Sequence, residues 1–203
     1  MADSIFKIGV LASGNGTDLG AIFEEMDSGE MPAEIQVVVV LSDKEGARAL
    51  DKARARGIRA EFVDPSGKSR EEYDLELIEK LGDVDLVCLI GYMRILSQPF
   101  VRHFARRIIN VHPALLPKFG GTGWFGMKVH EGVLAAGEKE SGMTIHYVDF
   151  GVDSGPTILQ EKVPVLPDDT PETLRARTLE AEKRGYPEVL RLLFKQRKDS
   201  LNS

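Results

Sequence analysis

Residues 108–117 read Ile-Ile-Asn-Val-His-Pro-Ala-Leu-Leu-Pro. A β-branched apolar run ends in Asn110 and His112, and Pro113 stops it. Side chains alternate faces along a strand, so Asn110 and His112 share one face while Val111 takes the other. The strand therefore delivers an amide donor and a titratable imidazole together at its carboxyl end, the edge where open α/β sheets bind ligands. That pairing suits acyl transfer, in which one group steadies a developing oxyanion and the other moves or stabilises a proton.

Further candidates lie elsewhere in the chain. Asp153 sits in Val152-Asp153-Ser154-Gly155-Pro156. An aspartate in such a turn is either a local backbone acceptor or a carboxylate that raises a neighbouring histidine's pKa. Only the fold could carry it to His112. Gly14-Asn15-Gly16-Thr17 follows a strand-like run and opens a helix-like one. It reads as a phosphate cradle, with backbone N–H groups and a helix N-terminus facing an anion, or as a tight turn capped by Thr17 or Asp18. It is not a Walker loop, and Leu19 occupies the third glycine position of a dinucleotide fingerprint. Gly91-Tyr92-Met93-Arg94-Ile95-Leu96 could hold a flat heterocycle or simply cover the core. His146 alternates with Thr144 on an expected strand, His130 begins a helix-like stretch and His103 lies on an expected surface helix.

The elements that must position these residues alternate. Expected strands are Ile5–Ala12, Glu34–Leu41, Ile58–Val63, Val84–Ile90 and Ile108–Val111. Expected helices are Leu19–Met26, Gly46–Arg56, Ser69–Leu81 and Pro99–Arg106. In the third of these Ser69 is the N-cap, Glu72 completes a capping box, and Leu75, Ile78 and Leu81 face inward. The alternation implies an α/β fold with a doubly wound, mostly parallel sheet and right-handed crossovers. Met143–Asp149 and Thr157–Val165 are separated only by a turn-rich segment and read as a C-terminal β-hairpin. A closing helix runs from Pro171 to about Lys195, with a kink or break expected at Gly185 and Pro187, and a frayed polar tail. The expectation is one domain over 1–203, with a nucleotide-binding half of about 1–107 and a second half of about 108–203.

Composition narrows the function classes. The chain has 203 residues, 42% hydrophobic and 29% charged, with net charge −6. An acidic chain is a poor coat for nucleic acid, and its apolar runs fall short of the roughly 20 residues a membrane helix needs. A lone cysteine, Cys88, forms no internal disulfide or cysteine-based zinc site, and its apolar run places it in the core. No targeting segment is expected at the start, so the location expected is cytoplasmic.

With these segments in this order, the chain resembles the phosphoribosylglycinamide formyltransferase family, within the wider formyltetrahydrofolate-using superfamily. The likeness runs from Lys7 to about Leu193. It rests on Ser13-Gly-Asn-Gly-Thr, Gly91-Tyr-Met-Arg-Ile-Leu-Ser, Asn110-Val-His-Pro-Ala-Leu-Leu-Pro, and Thr144-Ile-His-Tyr-Val followed by Asp153-Ser-Gly-Pro. The resemblance implies formyl transfer from 10-formyltetrahydrofolate, a cosubstrate, to the amine of 5-phosphoribosylglycinamide, in purine (IMP) synthesis and without a metal. It implies Asn110, His112 and Asp153 as the catalytic trio. It implies Gly16, Thr17 and Asp18 at the substrate phosphate and Leu179, Glu180, Ala181 and Glu182 at its glycinamide end. For the folate it implies Met93, Arg94, Ile95 and Leu96, then Asp149, Phe150, Gly151, Val152 and Asp153, with Asn110 and Arg70 as further contacts. Partners would be small molecules, with no nucleic acid or membrane, and the protein a monomer or homodimer.

Three positions depart from that pattern. Asp18 replaces an expected asparagine, putting a negative charge near a phosphate unless its side chain caps the helix. Residues 118–129 are longer and richer in glycine, and read equally as a mobile lid or as a solvent loop pinned by Trp124. Lys183 stands where a histidine is common. The competing readings are a formyltetrahydrofolate hydrolase, which would carry a further N-terminal domain, and a non-catalytic nucleotide- or folate-binding module. Methionyl-tRNA formyltransferase would need a further C-terminal domain and a basic surface.

Overall fold

In the computed structural model, which describes residues 5–201, the chain builds one seven-stranded sheet. The strands are β1 (Phe6–Ala12), β2 (Ile35–Ser42), β3 (Arg59–Phe62), β4 (Leu86–Ile90), β5 (Ile108–His112), β6 (Glu140–Tyr147) and β7 (Thr157–Pro164). Their order is β3-β2-β1-β4-β5-β6-β7. The first five pair parallel, whereas β6 pairs antiparallel with both β5 and β7. The doubly wound sheet and the hairpin expected from the sequence are both present. Among the described residues the helices are α1 (Thr17–Ser28), α2 (Arg48–Arg54), α3 (Arg70–Leu81), α4 (Gln98–His103), α5 (Met127–Ala135) and α6 (Pro171–Leu201).

Strand alternation divides the core into two layers. Phe6, Ile8 and Val10 of β1 and Leu86, Cys88 and Ile90 of β4 join α1 and α6 residues such as Ile22, Tyr186, Leu190 and Phe194. On the other face Leu11, Val87 and Leu89 meet Tyr73 and Leu77 of α3 and Phe100 of α4. Burying each large apolar side chain contributes about 1.5–3 kcal/mol, so strands apolar on both faces take the centre of the sheet.

Helix α4 ends at His103, short of the expected Arg106, α5 forms where the sequence shows only a helix-like stretch at His130, and α3 and α6 differ in packing and extent. The Ser69 capping box of α3 is formed, with Glu72 N donating to Ser69 Oγ at 3.2 Å and Ser69 N to Glu72 Oε2 at 2.8 Å. Its inward stripe, however, is Tyr73, Leu77 and Leu81, and Leu75 is 57% exposed. The aromatic ring of Tyr73 takes the stripe at i, i+4, i+8, and Leu75, two residues on, is turned about 200° away. Only Ile78 and Leu81 of the expected trio contact the core.

The closing helix α6 is continuous through Gly185 and Pro187 and extends past Lys195 to Leu201, so the expected break and the expected frayed tail before Leu201 are absent. An interior proline costs about 3 kcal/mol. Here Tyr186, Pro187, Val189, Leu190, Leu193 and Phe194 are all buried around it, and that burial outweighs the cost. Gly185 is needed for the approach: a Cβ there would stand 2.1 Å from Met143 Cε. No helix among the described residues is long and apolar enough to cross a membrane.

Candidate active site

The sheet order reverses between β1 and β4, and the loops leaving those strands part there to open a crevice. A cavity of about 890 Å³ occupies it, lined by 13–18 after β1, 89–96 around the end of β4, 110–113 at the end of β5 and 148–153 after β6. Met93 N donates to Ser13 Oγ at 2.9 Å, tying the loop after β4 to the turn after β1.

At the end of β5 the alternation does what the sequence requires. Asn110 pairs in register with His146 and His112 with Thr144, so β6 presents a second histidine beside the first. The segment after β5 is pinned from below. Thr144 Oγ1 donates to Ala114 O at 2.6 Å and accepts from Leu116 N at 3.1 Å and Gln160 Nε2 at 2.9 Å.

Asp153 reaches this cluster from the loop between β6 and β7. Its backbone is held at φ 55°, a region that side-chain-bearing residues seldom adopt and that surrounding contacts must impose. Asp149 Oδ1 imposes part of it, accepting from Gly151 N at 3.0 Å and Ser154 Oγ at 2.6 Å. Gly155 packs so tightly that a Cβ would stand 1.8 Å from Tyr147 O. As a result, Asp153 Oδ2 lies 3.3 Å from His112 Nδ1 and accepts from Gly121 N at 3.1 Å. Asp153 Oδ1 lies 3.6 Å from His146 Nε2.

The other ring nitrogen of His112 is also engaged. His112 Nε2 is 2.7 Å from the Phe119 carbonyl, which only accepts, so Nε2 carries a proton. By the same logic the Tyr147 carbonyl, 2.9 Å from His146 Nδ1, places a proton there. His146 Nε2 is then left between Asn110 Nδ2, at 3.4 Å, and Asp153. His112 is only 4% exposed. Burial lowers its pKa, against the opposing pull of Asp153 and the Phe119 carbonyl. Burial works to raise the Asp153 carboxyl, but His146, His112 and the Gly121 amide outweigh it and hold Asp153 below its ordinary value. The site thus sets an ionised carboxylate against an imidazole whose protonation burial opposes and that carboxylate favours.

Most of the sequence candidates line this one cavity: Gly16, Thr17, Asp18, Met93, Arg94, Ile95, Leu96, Asn110, His112, Asp149, Phe150, Gly151, Val152, Asp153, Leu179 and Glu182. Three do not. Arg70 is exposed at the start of α3, Ala181 is in the core, and Glu180 is exposed and paired with Lys183 at 2.6 Å. A helix turns about 100° per residue, so of Leu179–Glu182 only the two outer positions face the cavity.

The 118–126 loop is neither free of the site nor merely solvent. Trp124 packs edge-on to Phe119 at 5.3 Å, Phe119 engages His112, and residues 121–126 line the cavity. His130 of α5 and Arg175 of α6 also line it, and burial with Arg175 lowers His130 to about 4. Cys88 is fully buried, and burial raises its thiol.

A model of the family described as formyl transferase matches residues 6–190. The chain belongs to the formyl transferase family. Among its relatives, the phosphoribosylglycinamide formyltransferase of Haemophilus influenzae is 39% identical over 91% of this chain and 85% of its own length. The trifunctional purine biosynthetic protein adenosine-3 of Drosophila melanogaster is 42% identical over 92% of this chain, and the chain spans 14% of that protein's length. Among solved structures, glycinamide ribonucleotide transformylase 1 from Symbiobacterium toebii superposes with a TM-score of 0.87. It is 44% identical, over 97% of this chain and 91% of that one. The formyl transferase fold, with its mostly parallel sheet and closing helix, is thus shared with enzymes of that name.

Proposed function

We propose that this chain transfers the formyl group of 10-formyltetrahydrofolate to the amine of 5-phosphoribosylglycinamide, a step toward IMP. The observation that carries the reading is the contact of His112 with Asp153 at 3.3 Å, beside Asn110, on one wall of the cavity. In this reading Gly16, Thr17 and Asp18 take the phosphate, Leu179 and Glu182 the glycinamide end, and the 93–96 and 149–153 loops the folate. The half before about residue 107 supplies the nucleotide turn, and the half after it supplies the trio. The chain acts in the cytoplasm on small molecules, as a monomer or homodimer, with no nucleic acid, membrane or metal involved.

The chemistry assigned to each group follows from its neighbours. The amine nitrogen attacks the formyl carbon, and the carbonyl electron pair moves to oxygen as the tetrahedral centre forms. The Asn110 amide and the His112 Nε2–H stabilise that oxyanion, the latter exchanging the Phe119 carbonyl for the substrate oxygen. The proton that the attacking nitrogen gives up passes by way of Asp153 to His112 Nδ1, and Asp153 then accepts from the Nδ1–H. Collapse breaks the bond from the formyl carbon to N10 of the folate. His112 releases that proton as N10 takes one up, so the amine's proton ends on the folate. One such donor is worth about 100- to 1000-fold in rate.

The test follows tetrahydrofolate formation by absorbance, with and without 5-phosphoribosylglycinamide. Amine-dependent turnover is expected. Turnover without the amine would replace the reading with a hydrolase, and no turnover with both ligands bound would make the chain a binding module.

A further inference from the structure

The turn assigned to the phosphate carries a buried carboxyl, a poorly matched group for an anion site. Asp18 is the second residue of α1, is 5% exposed, and its Oδ1 has no hydrogen-bond partner. Glu182, on the facing helix α6, lines the same cavity. The two lysines whose charge acts on Asp18 hydrogen-bond elsewhere: Lys52 Nζ donates to Gly16 O at 2.7 Å, and Lys183 Nζ to Glu180 Oε1 at 2.6 Å.

Beside the turn, α1 starts with Gly16 as N-cap at φ 60° and has no side-chain cap. A Cβ at Gly16 would come within 2.8 Å of Ala49 Cβ, so α2 presses directly on the turn. The first backbone N–H groups of α1 are therefore left for a ligand, with the helix dipole behind them. An ionised Asp18 would repel a dianion there, whereas a neutral Asp18 can donate a hydrogen bond to it.

We propose that Asp18 and Glu182 form a proton-holding pair, and that a phosphomonoester dianion seats on the N-terminus of α1 only while the pair holds a proton. This rests on the phosphate-turn reading of the previous subsection and deepens it. Two carboxylates in one low-dielectric pocket cannot both ionise cheaply. Burial, the largest influence on each, pushes Asp18 up to about 6 and Glu182, with the Asp18 charge adding to it, up to about 8. The protons belong to the pair rather than to either residue.

The groups around the pair do not cancel this. From α6 come Lys183, whose charge favours ionised Asp18, Arg175, which does the same for Glu182, and Tyr186. From α2 comes Lys52. Tyr186 donates to Leu89 O of β4 at 2.7 Å, and burial raises both it and the neighbouring Cys88 of β4, which keeps them neutral.

The test uses ribose 5-phosphate, which has the phosphomonoester but no amine, titrated calorimetrically onto the full chain from pH 7 to 9.5. The phosphate is a dianion throughout, so the ligand does not titrate. Kd is expected to hold nearly constant to about pH 8 and then to weaken about tenfold per pH unit, with about one proton taken up per ligand. Proton uptake is read from the heats in two buffers of different ionisation enthalpy. In Asp18→Asn the dependence flattens and the uptake disappears. In Glu182→Gln, which serves if the first variant does not fold, the break moves below pH 7 and the fall spans the whole range. A Kd constant to pH 9.5, the wild-type break persisting in both variants, or no binding of ribose 5-phosphate at millimolar concentration would overturn the inference. Amine-dependent formyl transfer without the pH break would remove this pair and leave the proposed reaction standing. The break without any transfer would do the reverse.

Discussion

His112 has a carbonyl oxygen on one nitrogen and a carboxylate on the other, so its ring is oriented before any substrate arrives. Replacing it with asparagine keeps a donor of similar reach but removes the proton it can gain. His112→Asn is therefore expected to lower kcat by about 100-fold or more while both ligands still bind, as single-turnover rates and equilibrium titration would show. Retention of a tenth of wild-type kcat would take His112 out of the chemistry. Asn110 and His112 were legible in the sequence because alternation along five residues needs no tertiary information. His146 was not, although its Nε2 lies 3.4 Å from Asn110 Nδ2 and 3.6 Å from Asp153 Oδ1. Its place depends on β6 pairing with β5 so that Asn110 faces His146, and a one-residue slip would turn His146 away. The role of the Phe119 carbonyl is invisible in sequence for a related reason: every residue has a carbonyl, and only the fold decides which one faces the imidazole.

Elements differ in how much they reveal. Strands β1, β2 and β4 announce themselves by their apolar runs, whereas the edge strand β3 is only half-buried with Arg59 exposed, and the capping box marks the start of α3. The inward stripe of α3 and the continuity of α6 depend on partners, Tyr73 against the second core layer and Gly185 against Met143, which local propensity does not contain. The β6–β7 loop is the extreme case, since Asp153 is delivered by a turn whose closure needs Gly155 against the Tyr147 carbonyl. Gly155→Ala would force backbone apart at that contact. It should cost on the order of 1–3 kcal/mol, as overpacking against a rigid neighbour does, measured by urea unfolding. Because the displaced segment carries Asp153, kcat should fall more than tenfold while ribose 5-phosphate, proposed to sit at the turn after β1, keeps its affinity. Unchanged kcat would mean that the loop's geometry does not govern the trio.

On the scale of the whole molecule, two kinds of carboxyl pull stability in opposite directions with pH. Asp153 and Asp169, the latter paired with Arg177 at 2.6 Å, are held below their ordinary values, so their stabilisation is present near neutrality and is lost in acid. Glu182 is held above its unfolded value, up to about 8, so the folded chain keeps a proton that the unfolded chain has released. Its contribution is complete below the unfolded carboxyl pKa and declines as pH rises toward 8. Between pH 6 and 8 that proton alone should remove on the order of 1 kcal/mol of stability per pH unit. Glu182→Gln removes the titration while keeping the shape, so its stability should stay nearly level over the interval in which the wild type falls. Urea unfolding at pH 6, 7 and 8 measures this directly, and parallel declines in the two proteins would show that Glu182 is already ionised in the folded state. A fold built this way loses stability at mildly alkaline pH because it keeps one proton on its buried Asp18–Glu182 pair.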